Sequence, residues 1–178
     1  VREFKKNQDG YEIRFNASNL IASLFFSSKF SINNDEVNSK TYDVKIRPKF
    51  LKKNQSVIFN QQKGFVESNG HTSWRFEFDN TGLLLDPLNV QIMIRTLIKK
   101  GLNSFELDII DMENGGSKTY SYAVRKDETC IVDGTKYNCT ILERYRENNN
   151  RVVKYYLAKE LDYMFVKIID ISPDKINK

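Results

Sequence analysis

The sequence predicts a mainly β protein: a strongly curved antiparallel sheet or open barrel of about ten strands, wrapped around one central helix at about residues 86–100. Three observations predict it. Apolar and polar residues alternate along much of the chain, as in "YEIRF" and "SFELDII", the two-residue period of a half-buried strand. The 12 Phe and 9 Tyr, with recurrent Val, Ile and Thr, suit a pleated surface. One stretch, "LLLDPLNVQIMIRTLIKKG" (Leu83 to Gly101), breaks the alternation and reads as helix.

The strands follow in order. "YEIRF", the long apolar run "LIASLFFSSKFSI", "TYDVKIRP" and "SVIFN" come first, with the polar loop "NNDEVN" among them. "GFVESNGHTSWRFEF" reads as a hairpin about Asn69-Gly70, which pairs Ser68 with His71 and sets Phe65 opposite Trp74. Phe65, Trp74, Phe76 and Phe78 then share one face. "SFELDII" puts Phe105, Leu107 and Ile109 on one side and Glu106 and Asp108 on the other. After the turn at Asn114-Gly115-Gly116, "TYSYAVR" brings Tyr120, Tyr122 and Val124 into register. "ETCIVDGTKYNCTILERYR", "RVVKYYLA" and "DYMFVKIIDI" close the set.

The helix has its own punctuation. Asp86 suits the N-cap, Pro87 the first helical position and Gly101 the C′ position. Gln91, Arg95 and Lys99 form a polar stripe, while Leu88, Val90, Ile92, Met93, Ile94, Leu97 and Ile98 cover the rest. That apolar arc exceeds the ~100° of an ordinary surface helix. Such a helix must be almost surrounded, either as packed core or as one wall of an apolar pocket.

The 178 residues predict a single β-rich domain over 1–178, with Ser172–Lys178 as a frayed tail. Net charge is +5, from 28 Lys and Arg against 23 Asp and Glu. The lysines are scattered and no basic block or RNA-binding aromatic motif stands out, which argues against nucleic acid as a partner. No apolar run reaches the ~20 residues of a membrane-spanning helix. A leader is expected to have been removed or omitted before Val1.

Cys130 and Cys139 flank "IVDGTKYN". A turn centred between Gly134 and Thr135 sets the two cysteines directly opposite each other, as a cross-strand disulfide. A turn on Asp133-Gly134 misaligns them. A disulfide implies an oxidising compartment. The alternative is a pair of buried free thiols.

Candidates for catalysis are sparse. The single His71 beside a turn has no nucleophile elbow to serve, and there is no P-loop or dinucleotide-binding glycine pattern. Two Cys and one His are too few for an evident zinc site. The expectation is a non-enzymatic protein without metal or cofactor.

Several segments resemble the DUF3108 family of exported bacterial proteins of unassigned activity. "VKIRPKF…SVIFNQQKGFV" is similar to a strand, Pro-containing bend and strand of that family. "LLDPLNVQIMIRTLIKKG" resembles its Asp-x-Leu-Ser/Asn helix start. "YYLAKELDYMFVKI" resembles its W-L-A-P-x-L-D-Y-L-P-V-x-I motif, with Tyr156, Lys159 and Phe165 replacing the Trp and the two Pro. The resemblance runs over about Tyr42 to Ile169. It implies a Gram-negative periplasmic setting and supplies no catalytic residues. At the level of fold, the chain also looks like the open barrels of periplasmic lipoprotein carriers.

The resulting expectation is a periplasmic binding protein that holds an acyl chain or envelope lipid between sheet and helix, lined by Trp74, Phe76, Val90, Met93, Ile94 and Leu97. The alternative is a fully packed cell-envelope scaffold or protein-interaction module acting through sheet edges. A glycan binder using exposed tyrosines is a third reading.

Overall fold

The computed structural model describes residues 2–19, 21–48, 53–78, 82–146 and 149–171. The expected tail, Ser172–Lys178, lies outside these described residues. The chain falls into two compact units: Val1–Met93 with Asp108–Lys118, and Ile94–Leu107 with Thr119–Lys178. The protein is mainly β; among the described residues it has one α-helix, and its strands form two hydrogen-bonded sheets of seven and six strands.

The seven-stranded sheet belongs to unit 1 and is an antiparallel meander, each strand paired with the next. Its strands are β1 (Arg2–Asn7), β2 (Gly10–Ser18), β3 (Ser23–Asn33), β4 (Glu36–Arg47), β5 (Gln55–Asn60), β6 (Phe65–Gly70) and β7 (Trp74–Glu77). The turn from β3 to β4 is Asn34-Asp35, both at positive φ (51° and 64°), the backbone of a tight hairpin. Phe30, Val37, Val57 and Val66 are completely or almost completely buried here. Unit 1 also holds β8 (Leu84–Leu85), which pairs in parallel with the end of β9 (Ser104–Ile110), Leu84 against Asp108 and Leu85 against Ile109.

In unit 2 the long strands β10 (Ser117–Val132), β11 (Thr135–Arg146), β12 (Asn149–Ala158) and β13 (Met164–Ile171) pair antiparallel in sequence. Leu142 and Leu157 are fully buried there. Register shifts interrupt β10–β11, β11–β12 and β12–β13, as one does β3–β4 in unit 1. Bulges of this kind bend the strand and sharpen its twist, which curls both sheets.

The structure corrects several expectations. Among the described residues thirteen strands replace about ten. The polar β1, "REFKKN", lacks alternation because it is an edge strand, fixed by Phe4 stacking on Tyr11 at 5.5 Å. β8 is two residues long, too short to show a period. "TYSYAVR" and "ETCIV" are one strand, bulged between Val124 and Asp127. Two sheets stand where one curved sheet was expected.

The β6–β7 hairpin pairs Ser68 with Trp74, Val66 with Phe76 and Phe65 with Glu77, so Phe65 does not face Trp74. The connection is His71–Ser73, three residues in place of the expected Asn69-Gly70 turn. Gly70 ends β6 at φ 130°, and a Cβ there would stand 2.3 Å from the Asn54 carbonyl oxygen. Phe65 lies on the other face from Trp74, beneath the Arg75 guanidinium at 3.7 Å.

α1 runs Val90–Lys99, shorter than 86–100. Asp86 caps it as expected, its Oδ1 accepting from the N–H groups of Leu88 (2.8 Å) and Asn89 (2.9 Å). The Asn89 side chain reciprocates by accepting from the Asp86 N–H at 2.9 Å. At the other end Gly101 has φ 81°, its N–H bonds to Ile98 and the Leu102 N–H bonds to Leu97, a Schellman ending. Val90, Met93, Ile94 and Ile98 are buried, and Ile92 and Leu97 are half-buried. The fully buried arc is therefore narrower than the sequence predicts.

Cys130 and Cys139 form a disulfide with Cα atoms 6.0 Å apart. The turn is Asp133-Gly134, at φ 48° and 78°, so Cys130 lies opposite Tyr137 and Cys139 opposite Glu128. The two are diagonal neighbours on one face, not the direct pair expected. The bond packs with Ile141 and Ala158, flanked by Tyr137, Tyr156 and Val166.

Candidate functional site

In unit 1, the helix start is bolted to the strands by a buried polar cluster. Ser28 on β3 donates to Asp86 Oδ2 at 2.6 Å. Asn89 donates to Ser39 on β4 at 2.8 Å, and Ser39 donates to the Leu84 carbonyl at 2.8 Å. Asp86, Asn89, Ser28 and Ser39 are all wholly buried. Burial pushes the Asp86 carboxyl up to about 7, against the hydrogen bonds from Ser28, Asn89 and Leu88 that pull it down. The Tyr42 hydroxyl is pushed up by burial and then by Asp86. Every partner here is satisfied within the cluster, so it anchors the Asp-Pro-Leu-Asn turn and offers no open position to a substrate.

An opening in unit 1 lies beside β7. Trp74, Phe76 and Phe78 stand at alternate positions, with ring centroids 5.8 and 6.5 Å apart, and all three are half-buried. A bracket of hydrogen bonds fixes Trp74. Its Nε1 donates to the Met112 carbonyl at 3.2 Å, which Gln55 and Thr72 also reach. Gly115, at φ 77°, lies so close that a Cβ would meet the indole at 3.1 Å. The Asp111 side chain closes that turn through Glu113, Asn114 and Lys118. Burial raises the Asp111 carboxyl, but those partners outweigh it and hold it at about 2.

Next to this row is a cleft of about 400 Å³. Phe76, Phe78, Leu83 and Leu84 give it an apolar side; Glu77, Asp108 and Ser117 give it a polar one. The volume falls within the ~300–1,000 Å³ of small-molecule sites. Chemically it is an amphipathic groove, able to cover an apolar chain and meet a polar head.

The structure places the expected lining residues differently. Phe76 lines the cleft and Trp74, outside its lining, packs tilted against Phe76. Val90, Met93 and Ile94 are core side chains, 6, 4 and 2% exposed, and none of them lines the cleft. Leu97 is half-buried and also lies outside it. Sequence reasoning missed Leu83, Leu84, Asp108 and Ser117. Phe78 was legible as the next step of the aromatic row.

Unit 2 holds the "LAKELDY" segment. Asp162 follows the 3-10 turn Lys159–Leu161 in a left-handed conformation, φ 57°. Its carboxylate takes Arg95 at 2.7 Å and Lys99 at 2.5 Å from α1. The helix's polar stripe is thus a docking rail, and Asp162 is held ionised below the usual carboxylate range, first by Lys99.

Among the described residues no cluster of His, Cys, Asp and Glu has the makings of a metal site. No described helix is long and apolar enough to cross a membrane. No family model and no curated protein matches the chain. The fold does match a solved structure, a crystal structure of a β-barrel-like protein of domain of unknown function DUF1849 from Brucella abortus. The match has a TM-score of 0.61 at 9% identity, covering 97% of this chain and 81% of that one. The chain therefore has a β-barrel-like fold, shared with a protein whose function is itself unassigned.

Proposed function

We propose that the protein is a non-enzymatic binding protein of the bacterial envelope that holds the apolar part of a lipid, an acyl chain, in the β7 cleft. The observation that carries this reading is the row Trp74, Phe76 and Phe78. These aromatics are fixed in place yet only half-buried, beside a cleft of about 400 Å³. Polar groups at Glu77 and Ser117 would orient a headgroup. The resemblance to DUF3108 and the Cys130–Cys139 disulfide support a periplasmic address.

Trp74 is the one tryptophan in the chain and packs against Phe76 at 5.8 Å, so its emission reports the site. Titration with a fluorescent fatty acid should quench it saturably. Phe76→Asp should weaken binding at least tenfold, while Leu97→Lys should leave it within twofold. Unchanged binding by Phe76→Asp, with both variants folded by thermal melt, refutes the site.

A second reading is a packed scaffold acting through a sheet edge. What favours it is the burial of the helix side chains together with the exposed Met164 and Ile168 on edge strand β13. Under that reading no lipid is retained in native mass spectra of protein purified from membranes.

A further inference from the structure

Unit 2 carries a second site, on a different face of chemistry. β11 is bulged between Arg144 and Arg146, which changes where its side chains aim. Arg144 lies opposite Tyr122 on β10 and Val153 on β12. Its guanidinium rests over the Tyr120 ring at 4.6 Å and the Tyr155 ring at 5.7 Å. These partners position the charge without neutralising it.

The nearby carboxylates are committed elsewhere. Glu143 takes Arg125 at 2.7 Å, Lys154 at 3.0 Å and the Tyr145 hydroxyl. Asp170 takes Arg151 through both of its oxygens. Among the described residues neither Arg144 nor Arg146 has an acidic partner. A half-buried guanidinium set against phenol rings, with no carboxylate partner among the described residues, is costly unless an anion visits it.

A cavity of about 70 Å³ opens at this point, lined by Tyr120, Arg144, Tyr145, Arg146, Arg151 and Val153. It has room for several waters or one tetrahedral oxyanion. Guanidinium forks match phosphate oxygens in pairs; Arg144 and Arg146 line this cavity, and Arg151, also in its lining, is already held by Asp170. We infer that this cavity binds a phosphate-class oxyanion, either a free phosphate ester or the headgroup of an anionic phospholipid.

This inference does not depend on the acyl-chain cleft, whose residues all lie in unit 1. The test is calorimetric titration of the full chain at low salt with inorganic phosphate and with glycerol 3-phosphate. Cosedimentation with phosphatidylglycerol and with phosphatidylcholine vesicles follows. Arg146 is exposed, so Arg146→Gln should fold normally and bind about tenfold more weakly; Arg144→Gln should lose binding. Lys126→Gln removes an equal charge elsewhere in the unit and should bind as the parent protein does. Binding to glycerol 3-phosphate identifies a soluble ester as sufficient. Binding to phosphatidylglycerol vesicles alone, lost in Arg146→Gln, identifies a membrane headgroup. The inference is overturned if no phosphate-bearing probe binds saturably, if Arg146→Gln binds normally, or if Lys126→Gln weakens binding as much as Arg146→Gln does.

Discussion

Replacing Asp86 separates the two things its carboxyl does in the fold. In Asp86→Ala, the N–H groups of Leu88 and Asn89 and the hydroxyl of Ser28 lose their acceptor inside a wholly buried cluster. Losing a helix cap costs about 1 kcal/mol and each stranded buried donor about 1–3 kcal/mol, so about 3–5 kcal/mol in all after overlap. Asp86→Asn keeps an oxygen for both N–H groups and lets the Ser28 hydroxyl turn to accept, at about 1 kcal/mol. The pH dependence then gives the sign. Unfolded, the carboxyl ionises near ~4. Folded, burial holds its proton up to about 7. Between these values the folded state binds more protons, so stability falls as pH rises from ~4 to about 7 and is level above that. The whole drop is on the order of 4 kcal/mol. Asp86→Asn cannot lose a proton, so it should be slightly less stable than the parent below pH ~4 and more stable at pH ~8. Urea unfolding followed by Trp74 emission, which reports unit 1, measures this at several pH values. Parallel pH curves for the two proteins would refute the assignment of a buried, protonated Asp86.

Two further outcomes follow from named contacts. Cys130→Ser with Cys139→Ser, closing a loop of sequence separation 9, should lower stability by about 2–3 kcal/mol. Protein denatured without reductant should show no free thiol; two thiols per chain would contradict the bond. Gly70→Ala should destabilise by at least ~2 kcal/mol, because it adds a Cβ against the Asn54 carbonyl at φ 130°. Gly82→Ala, where a Cβ meets nothing within 4 Å, is the matched control and should change stability by less than ~1 kcal/mol.

The parts of the fold that local chemistry dictates were legible in the sequence. Asp86 and Gly101 bound the helix because capping is a property of a few adjacent residues. The faces of β9 followed from alternation, with Leu107 and Ile109 buried and Glu106 exposed. What failed was pairing, which depends on turns and bulges. Asp133-Gly134 took the tight turn that both residues' positive φ permits, and the cysteines became diagonal partners. Gly70 looked like a turn residue because glycine marks any unusual φ, but here it serves a close approach to Asn54. The site was half legible. Phe76 and Phe78 were visible as an aromatic row, whereas Val90, Met93 and Ile94 were not separable from a pocket wall, since core and pocket use the same side chains. Arg144 and Arg146 drew no notice, because a strand's alternating arginines read as solvated until the neighbours without carboxylates are known.

The boundary between the two units falls inside α1, β9 and β10, and the chain crosses it three times, at Met93–Ile94, Leu107–Asp108 and Lys118–Thr119. Neither unit is a continuous piece of gene. During synthesis the first cannot be finished until Lys118 has emerged, by which time the opening segment of the second is already made. No truncation can yield either one alone, and a recombination event that moved one would have to carry both. Such a chain is inherited and translated as a whole.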